Sequence, residues 1–276
     1  MVKKIITFAL TILLVVSMVG CGSKSSGDLK DSGKKEQGQL SSVDKIKQKG
    51  KIVVGTEATF PPFEGISPKD GKTVVGFDMD VAAAVAKKLG VELEIVDMSF
   101  EGLIPSLETE KIDFAAAGIN VTEKRAESVD FSQIYYKGGQ VLVVKENNGN
   151  IKKYDDLKGK KIGAQLGTTS AEVGEKIEGA NFETLNKVDQ LMLSAKNGII
   201  DGVVVDDVVG VEYVNKMGGL KIVKIPEFNE GDEGMGVAVA KGNKELLKVI
   251  NDTLNELKAN GEFDKLTDKW GLLSQK

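Results

Sequence analysis

Residues 112–125, IDFAAAGINVTEKR, read as a strand, a loop and the start of a helix. Ile112–Ala116 is an apolar run of strand length, and Thr122 is placed to cap a short helix carrying Lys124 and Arg125. Gly118 lies in the loop between, where the missing side chain lets backbone approach another group closely. Upstream, Lys51–Gly55 and Val74–Phe77 read as strands, and Asp78 caps a helix that runs to Leu89 and stops at Gly90. Val91–Val96 and Leu103–Glu110 follow as strand and helix. This alternation predicts a parallel sheet covered by helices.

The pattern restarts downstream. Gln140–Lys145 and Ile162–Gln165 read as strands, the second passing through Leu166–Thr169 into a helix over Ser170–Ile177. Val188–Asn197, Gly202–Val205 and Asp207–Lys216 give helix, strand, helix, and Met235–Ala240 adds a strand. Asn243 then caps a long helix with Leu246, Ile250, Leu254 and Leu257 on one face, and a last helix ends at Trp270. In such sheets ligands sit at the carboxyl ends of strands. Two units facing each other make a cleft that closes by hinge motion.

The N-terminus reads as an export signal over residues 1–20: Lys3 and Lys4, the apolar run Ile5–Val19, then Gly20 before Cys21. That run is shorter than the roughly 20 apolar residues that span a bilayer. Met18-Val19-Gly20-Cys21 resembles a lipobox, which makes Cys21, the single cysteine, the lipidated end of the mature chain. Residues 21–42 are serine, glycine, lysine and glutamine with little to bury, a flexible tether, and structure is expected from about Val43. The formal net charge of −4 becomes −6 once Lys3 and Lys4 are removed, which argues against a nucleic-acid partner. With no histidine and one cysteine, structural zinc and Ser/His or Cys/His catalysis lack their parts. No catalytic residue, metal or cofactor is expected.

The 37 lysines and arginines include one arginine, Arg125. A chain that meets almost every need for positive charge with lysine keeps a guanidinium where a planar, two-pronged donor matters, as for a carboxylate. Asn120 and Thr122 add polar groups to the same loop, and Gly167-Thr168-Thr169-Ser170 leads from a strand into a second helix.

Several segments recur here in order: Gly55–Glu64 (GTEATFPPFE), Val75–Asp80 (VGFDMD), Gly102–Leu107 (GLIPSL), Thr122–Arg125 (TEKR), Val129–Ser132 (VDFS), Leu157–Lys160 (LKGK) and Gln165–Thr169 (QLGTT). Together the set resembles the periplasmic-binding-protein family that serves polar amino acid ABC importers, from about Lys45 to Gly271. The resemblance implies a type II two-lobe α/β fold, each lobe a helix-covered mixed sheet with the ligand cleft between. Lobe 1 takes residues 43–137 and is completed by 231–276; lobe 2 takes 138–230. The crossovers fall near Tyr136–Gly139 and Asn229–Gly234.

The same resemblance assigns roles. Arg125, Asn120 and the Thr169 backbone match positions that hold the ligand's α-carboxylate, and Gly118 a backbone position at the α-groups. Asp206, in preference to Asp207, matches the carboxylate for the α-ammonium. Phe60 and Phe100 match aromatics that sandwich the side chain, and Glu57 an acid that contacts its far end. Gln165, where some relatives carry lysine, is a weaker candidate for ligand contact, and Phe263 and Trp270 match packing positions. The implied protein is an extracytoplasmic binding protein and no enzyme. It is a monomer held to the membrane by its lipid, taking a free amino acid and docking on ABC permease subunits. A basic amino acid, glutamine or cystine suits Glu57 and its aromatic neighbours. The alternatives are a cyclohexadienyl-dehydratase-like enzyme on the same fold and an amino acid sensor.

Overall fold

A computed structural model describes residues 40–229 and 234–272. The expected signal, Cys21 and nearly all of the tether lie outside the described residues, as does most of the second expected crossover. The first lobe begins with α1 (Ser42–Lys49), a helix the sequence reading lacks, capped by the Ser41 hydroxyl. There follow β1 (Lys51–Thr56), the short strands β2 (Thr59–Phe60), β3 (Glu64–Ile66) and β4 (Val74–Val75), and α2 (Phe77–Leu89). Next come β5 (Glu92–Asp97), a single 3-10 turn at Phe100–Gly102, α3 (Leu103–Glu108), β6 (Phe114–Ala115), α4 (Glu123–Ser128) and β7 (Val129–Phe131). After β8 (Tyr136–Lys137) the chain enters the second lobe with β9 (Gln140–Lys145). That lobe continues with β10 (Lys161–Gln165), α5 (Thr169–Glu175), β11 (Asn181–Leu185), α6 (Val188–Asn197), β12 (Gly202–Asp206), α7 (Asp207–Met217) and β13 (Leu220–Val223). The chain returns through β14 (Gly234–Met235) to β15 (Ala238–Ala240), α8 (Lys244–Ala259) and α9 (Glu262–Lys269).

Each lobe is built on a five-stranded sheet, in the orders β5-β1-β6-β15-β7 and β11-β10-β12-β9-β13. β1 runs parallel to β5 and β6, as β10 does to β11 and β12. The sheets are nevertheless mixed, where strand–helix alternation alone predicts parallel ones. β15 is antiparallel to β6 and β7, and β9 to β12 and β13. A parallel neighbour needs a crossover of a dozen or more residues, usually a helix. β9 and β15 instead arrive directly from the other lobe, so they are free to enter head to tail. The antiparallel pair β8–β14, with Tyr136 opposite Met235, ties the two passages together.

Successive strand residues face opposite ways, and the cores follow. Ile52, Val54, Phe114 and Val239 pack with Val81, Val85, Leu246, Ile250 and Leu254 from α2 and α8. Ala115 and Val129 face the other way, onto Leu103 and Leu107 of α3. In β9, Val141 and Val143 lie with Leu191 and Val209 of α6 and α7, whereas Leu142 and Val144 join Ile162 and Val204 on the opposite face. Leu257 is only partly buried, so the apolar stripe of α8 ends at Leu254.

One cap falls elsewhere than expected. Helix α2 starts from Gly76, not Asp78, and β4 stops at Val75. Gly76 has φ +155°, and a Cβ there would lie 1.9 Å from the Phe63 carbonyl oxygen. Strain and a backbone clash therefore act together. Gly76→Ala is expected to cost at least about 3 kcal/mol. In thermal unfolding followed by circular dichroism, Tm then falls by roughly 6 °C or more.

Candidate functional site

Four strands present their carboxyl ends to one another across the lobes. β1 leads into Glu57–Phe60 and β6 into Gly118–Arg125, while β10 ends at Gln165 before Gly167–Thr169 and β12 ends at Asp206. Phe60, Phe100, Gly118, Asn120, Arg125, Thr169 and Asp206 line one narrow cavity together with Gln165. Seven of the eight expected contact residues are thus brought together, and Glu57 stands just behind Gln165. The free volume, about 10 Å³, is of the order one water needs, roughly 10–15 Å³. A larger cavity of about 550 Å³ shares Asn120, Thr169 and Asp206 and runs past Gly138–Gln140 to Asn229.

Direct hydrogen bonds hold the lobes together here. The Asn120 amide donates to the Thr169 hydroxyl at 2.8 Å. The Arg125 guanidinium donates to the Asn120 carbonyl at 2.7 Å and to the Gly167 carbonyl of the other lobe at 3.0 Å. Its carbon lies 5.3 Å from the centre of the Phe100 ring, so that ring receives the protein's own cation. Phe60 stacks on Phe63, with centroids 6.0 Å apart.

Asp206 is 6% exposed. Burial pushes its carboxyl up to about 7, with Asp207 adding to the rise and Asn120 and Arg125 opposing it. Asp207 is separated from it by its partners: its carboxylate accepts from the Gly139 and Val208 amides. Of the two, Asp206 lines the narrow cavity.

Asp78 was expected as a helix cap and is instead a buried brace. Its Oδ2 accepts from the Gly118 amide at 2.9 Å and from the Tyr135 hydroxyl at 2.8 Å. Burial raises its carboxyl to about 6 against both bonds. Gly118, at φ +54°, could carry no Cβ, which would meet the Phe60 ring at 2.6 Å. The loop bearing Asn120 and Arg125 is thus pinned by its backbone. Glu64, fully buried, has no hydrogen-bond partner for either carboxylate oxygen among the described residues. Burial first, then Asp78 and Glu57, hold it well above the ordinary range.

Thr59 is a contact that the sequence reading missed. Its hydroxyl donates to Glu57 at 2.7 Å and accepts from the Val188 amide at 3.0 Å, and its carbonyl accepts from Tyr213 at 2.8 Å. Lys187, at the cap position of α6, makes no side-chain cap bond. The helix therefore takes its cap from the opposite lobe. The signal in the sequence was a lysine where Ser, Thr, Asp or Asn is usual.

Comparison with known proteins fits this geometry. Residues 52–273 match the family model described as bacterial extracellular solute-binding proteins, family 3. The chain belongs to this family. The arginine-binding extracellular protein ArtP of Bacillus subtilis (strain 168) is 35% identical to this family-3 protein over 273 residues, 98% of the chain and 95% of the relative. The L-cystine-binding protein TcyJ of Escherichia coli (strain K12) is 35% identical over 230 residues, 83% of the chain and 85% of the relative. A crystal structure of the substrate-binding protein of an amino acid ABC transporter superposes with a TM-score of 0.77 at 49% identity, covering 80% of the chain and 98% of that protein. These relatives are binding proteins. Among the described residues no helix is long and apolar enough to cross a membrane.

Replacing Thr59 by valine removes one acceptor while keeping shape, and an amide stranded in this way costs about 1–3 kcal/mol. Hydrogen exchange at the Val188 amide is expected to quicken at least about fivefold. An unchanged rate would mean that α6 is not capped from the first lobe.

Proposed function

We propose that this protein is the extracytoplasmic binding component of an ABC importer for a polar L-amino acid, held by closure of its two lobes. The observation that carries the reading is a guanidinium from one lobe and a buried carboxylate from the other lining one cavity. A zwitterion needs both charges a few ångströms apart and away from water, where they count. Arg125, Asn120 and the Thr169 backbone take the α-carboxylate, Gly118 approaches the α-groups, and Asp206 takes the α-ammonium. Phe60 and Phe100 flank the side chain, with Glu57 toward its far end. Because the ligand touches both lobes, it favours the closed form by differential contact, and the closed form docks on the permease. The chain works as a monomer, exported by its first twenty residues and anchored through lipid on Cys21. A basic amino acid, glutamine or cystine is the ligand class.

A thermal-shift panel of the twenty amino acids with cystine and ornithine tests this, since binding stabilises by RT ln(1 + [L]/Kd). Raised Tm with one or a few polar members is expected; a response only to dicarboxylates, or to none, contradicts it. For that ligand, Arg125→Ala is expected to lose at least about tenfold in affinity by calorimetry.

The pH dependence follows from Asp206. Its carboxyl is raised from the ordinary carboxylate range to about 7, so the folded protein holds a proton that the unfolded chain releases. Its ionisation erodes the stability of the free protein as pH climbs toward 7. Bound ammonium favours the ionised form and expels that proton. Affinity at pH 5 is therefore expected to be roughly 10–100-fold below that at pH 8, and Asp206→Asn to flatten the profile.

A further inference from the structure

Glu57 is 1% exposed, and three donors reach its carboxylate. Thr59 and Gln165 donate to Oε2 at 2.7 and 2.8 Å, and the Lys187 ammonium lies 3.3 Å from Oε1. The three differ in how firmly they are held. Thr59 belongs to the same loop and is also bonded to the Val188 amide. Gln165 is buried and fixed a second time on the Asn186 carbonyl, 2.9 Å away. The Lys187 side chain is 39% exposed, and its ammonium is shared with Asp97, whose carboxylate lies 3.8 Å away. On a long flexible stem with a second carboxylate to turn to, Lys187 is the donor that can be exchanged.

We propose that Lys187 is a specificity-determining residue: as the resident counter-ion of Glu57 it disfavours ligands with a cationic head and favours those with a neutral amide. This rests on the reading of the site as an amino acid site with Glu57 at its far end. A guanidinium or ammonium that reaches Glu57 must displace Lys187 or lie beside a like charge. A terminal amide does neither, because its NH₂ donates to Glu57 while its carbonyl accepts from Lys187. Glu57 seen without Lys187 is a buried carboxylate that attracts cations; seen with it, the pair offers one acceptor and one donor. Selectivity of this kind comes from a repulsive element as much as from an attractive one.

Isothermal titration of arginine and glutamine into the full chain, Lys187→Met and Lys187→Arg separates these cases. The methionine variant is expected to raise the arginine-to-glutamine affinity ratio at least about tenfold. The arginine variant keeps the charge and is expected to stay within about threefold of the parent ratio. A ratio in the methionine variant within about threefold of the parent overturns the proposal, as does an equal shift in both variants. A parent chain that titrates with no amino acid overturns the functional reading, and the role of Lys187 with it. Circular dichroism confirms that the half-exposed substitution leaves the fold intact.

Discussion

A carboxylate taken out of water needs a donor or a proton, and the buried acids organise this protein. Among the described residues they are Glu57, Glu64, Asp78 and Asp206, all at most 6% exposed. Asp78 is satisfied within its own lobe, where it fixes the Gly118 backbone. Glu57 is satisfied from the opposite lobe by Gln165 and Lys187. Asp206 is held above the ordinary carboxylate range by burial, with Asn120 and Arg125 of the other lobe opposing the rise. Glu64 has no hydrogen-bond partner among the described residues, and its surroundings favour the protonated form. Asp78 braces the site, Glu57 helps hold the lobes shut, and Glu57 and Asp206 are both proposed to meet the ligand.

This division ties closure to recognition. Three of the residues that bridge the lobes, Asn120 bonded to Thr169 and Arg125 bonded to the Gly167 carbonyl, are also those proposed to hold the α-carboxylate. On that proposal, an entering amino acid exchanges direct protein–protein bonds for bonds through itself. Only the difference between those two sets moves the equilibrium between open and closed forms. The Thr59 bonds to Val188 and Tyr213 also cross the lobes, and they involve none of the groups proposed for the α-carboxylate or the α-ammonium.

Much of the fold was legible because its signals are local. The Gly90 stop, the Thr122 and Asn243 caps and the stripe of α8 are each set within a few residues. The strands β7, β11 and β13 were not read, being three to five residues long and half-buried, with little alternation to show. The direction of β9 and β15 was hidden too, because it depends on which lobe the chain arrives from. Asp78 was misread for a related reason: an acid two residues after glycine looks like a cap, and only the tertiary fold delivers the Gly118 amide to it. Arg125, Gly118, Asn120 and Thr169 were legible as residue types at strand ends, whereas Glu57, Phe60, Phe100 and Asp206 were supplied by the family resemblance. Lys187 and Thr59 were not, since their partners are more than a hundred residues away.

The central proposition is that Arg125 and Asp206, from opposite lobes, divide the two charges common to every amino acid. Calorimetry with the ligand found by the panel, its decarboxylated amine and its des-amino acid tests this most directly. Removing either charge is expected to weaken binding at least about 100-fold, because each strands a buried, charged partner. If either analogue binds within about threefold of the parent amino acid, the two-charge clamp is wrong.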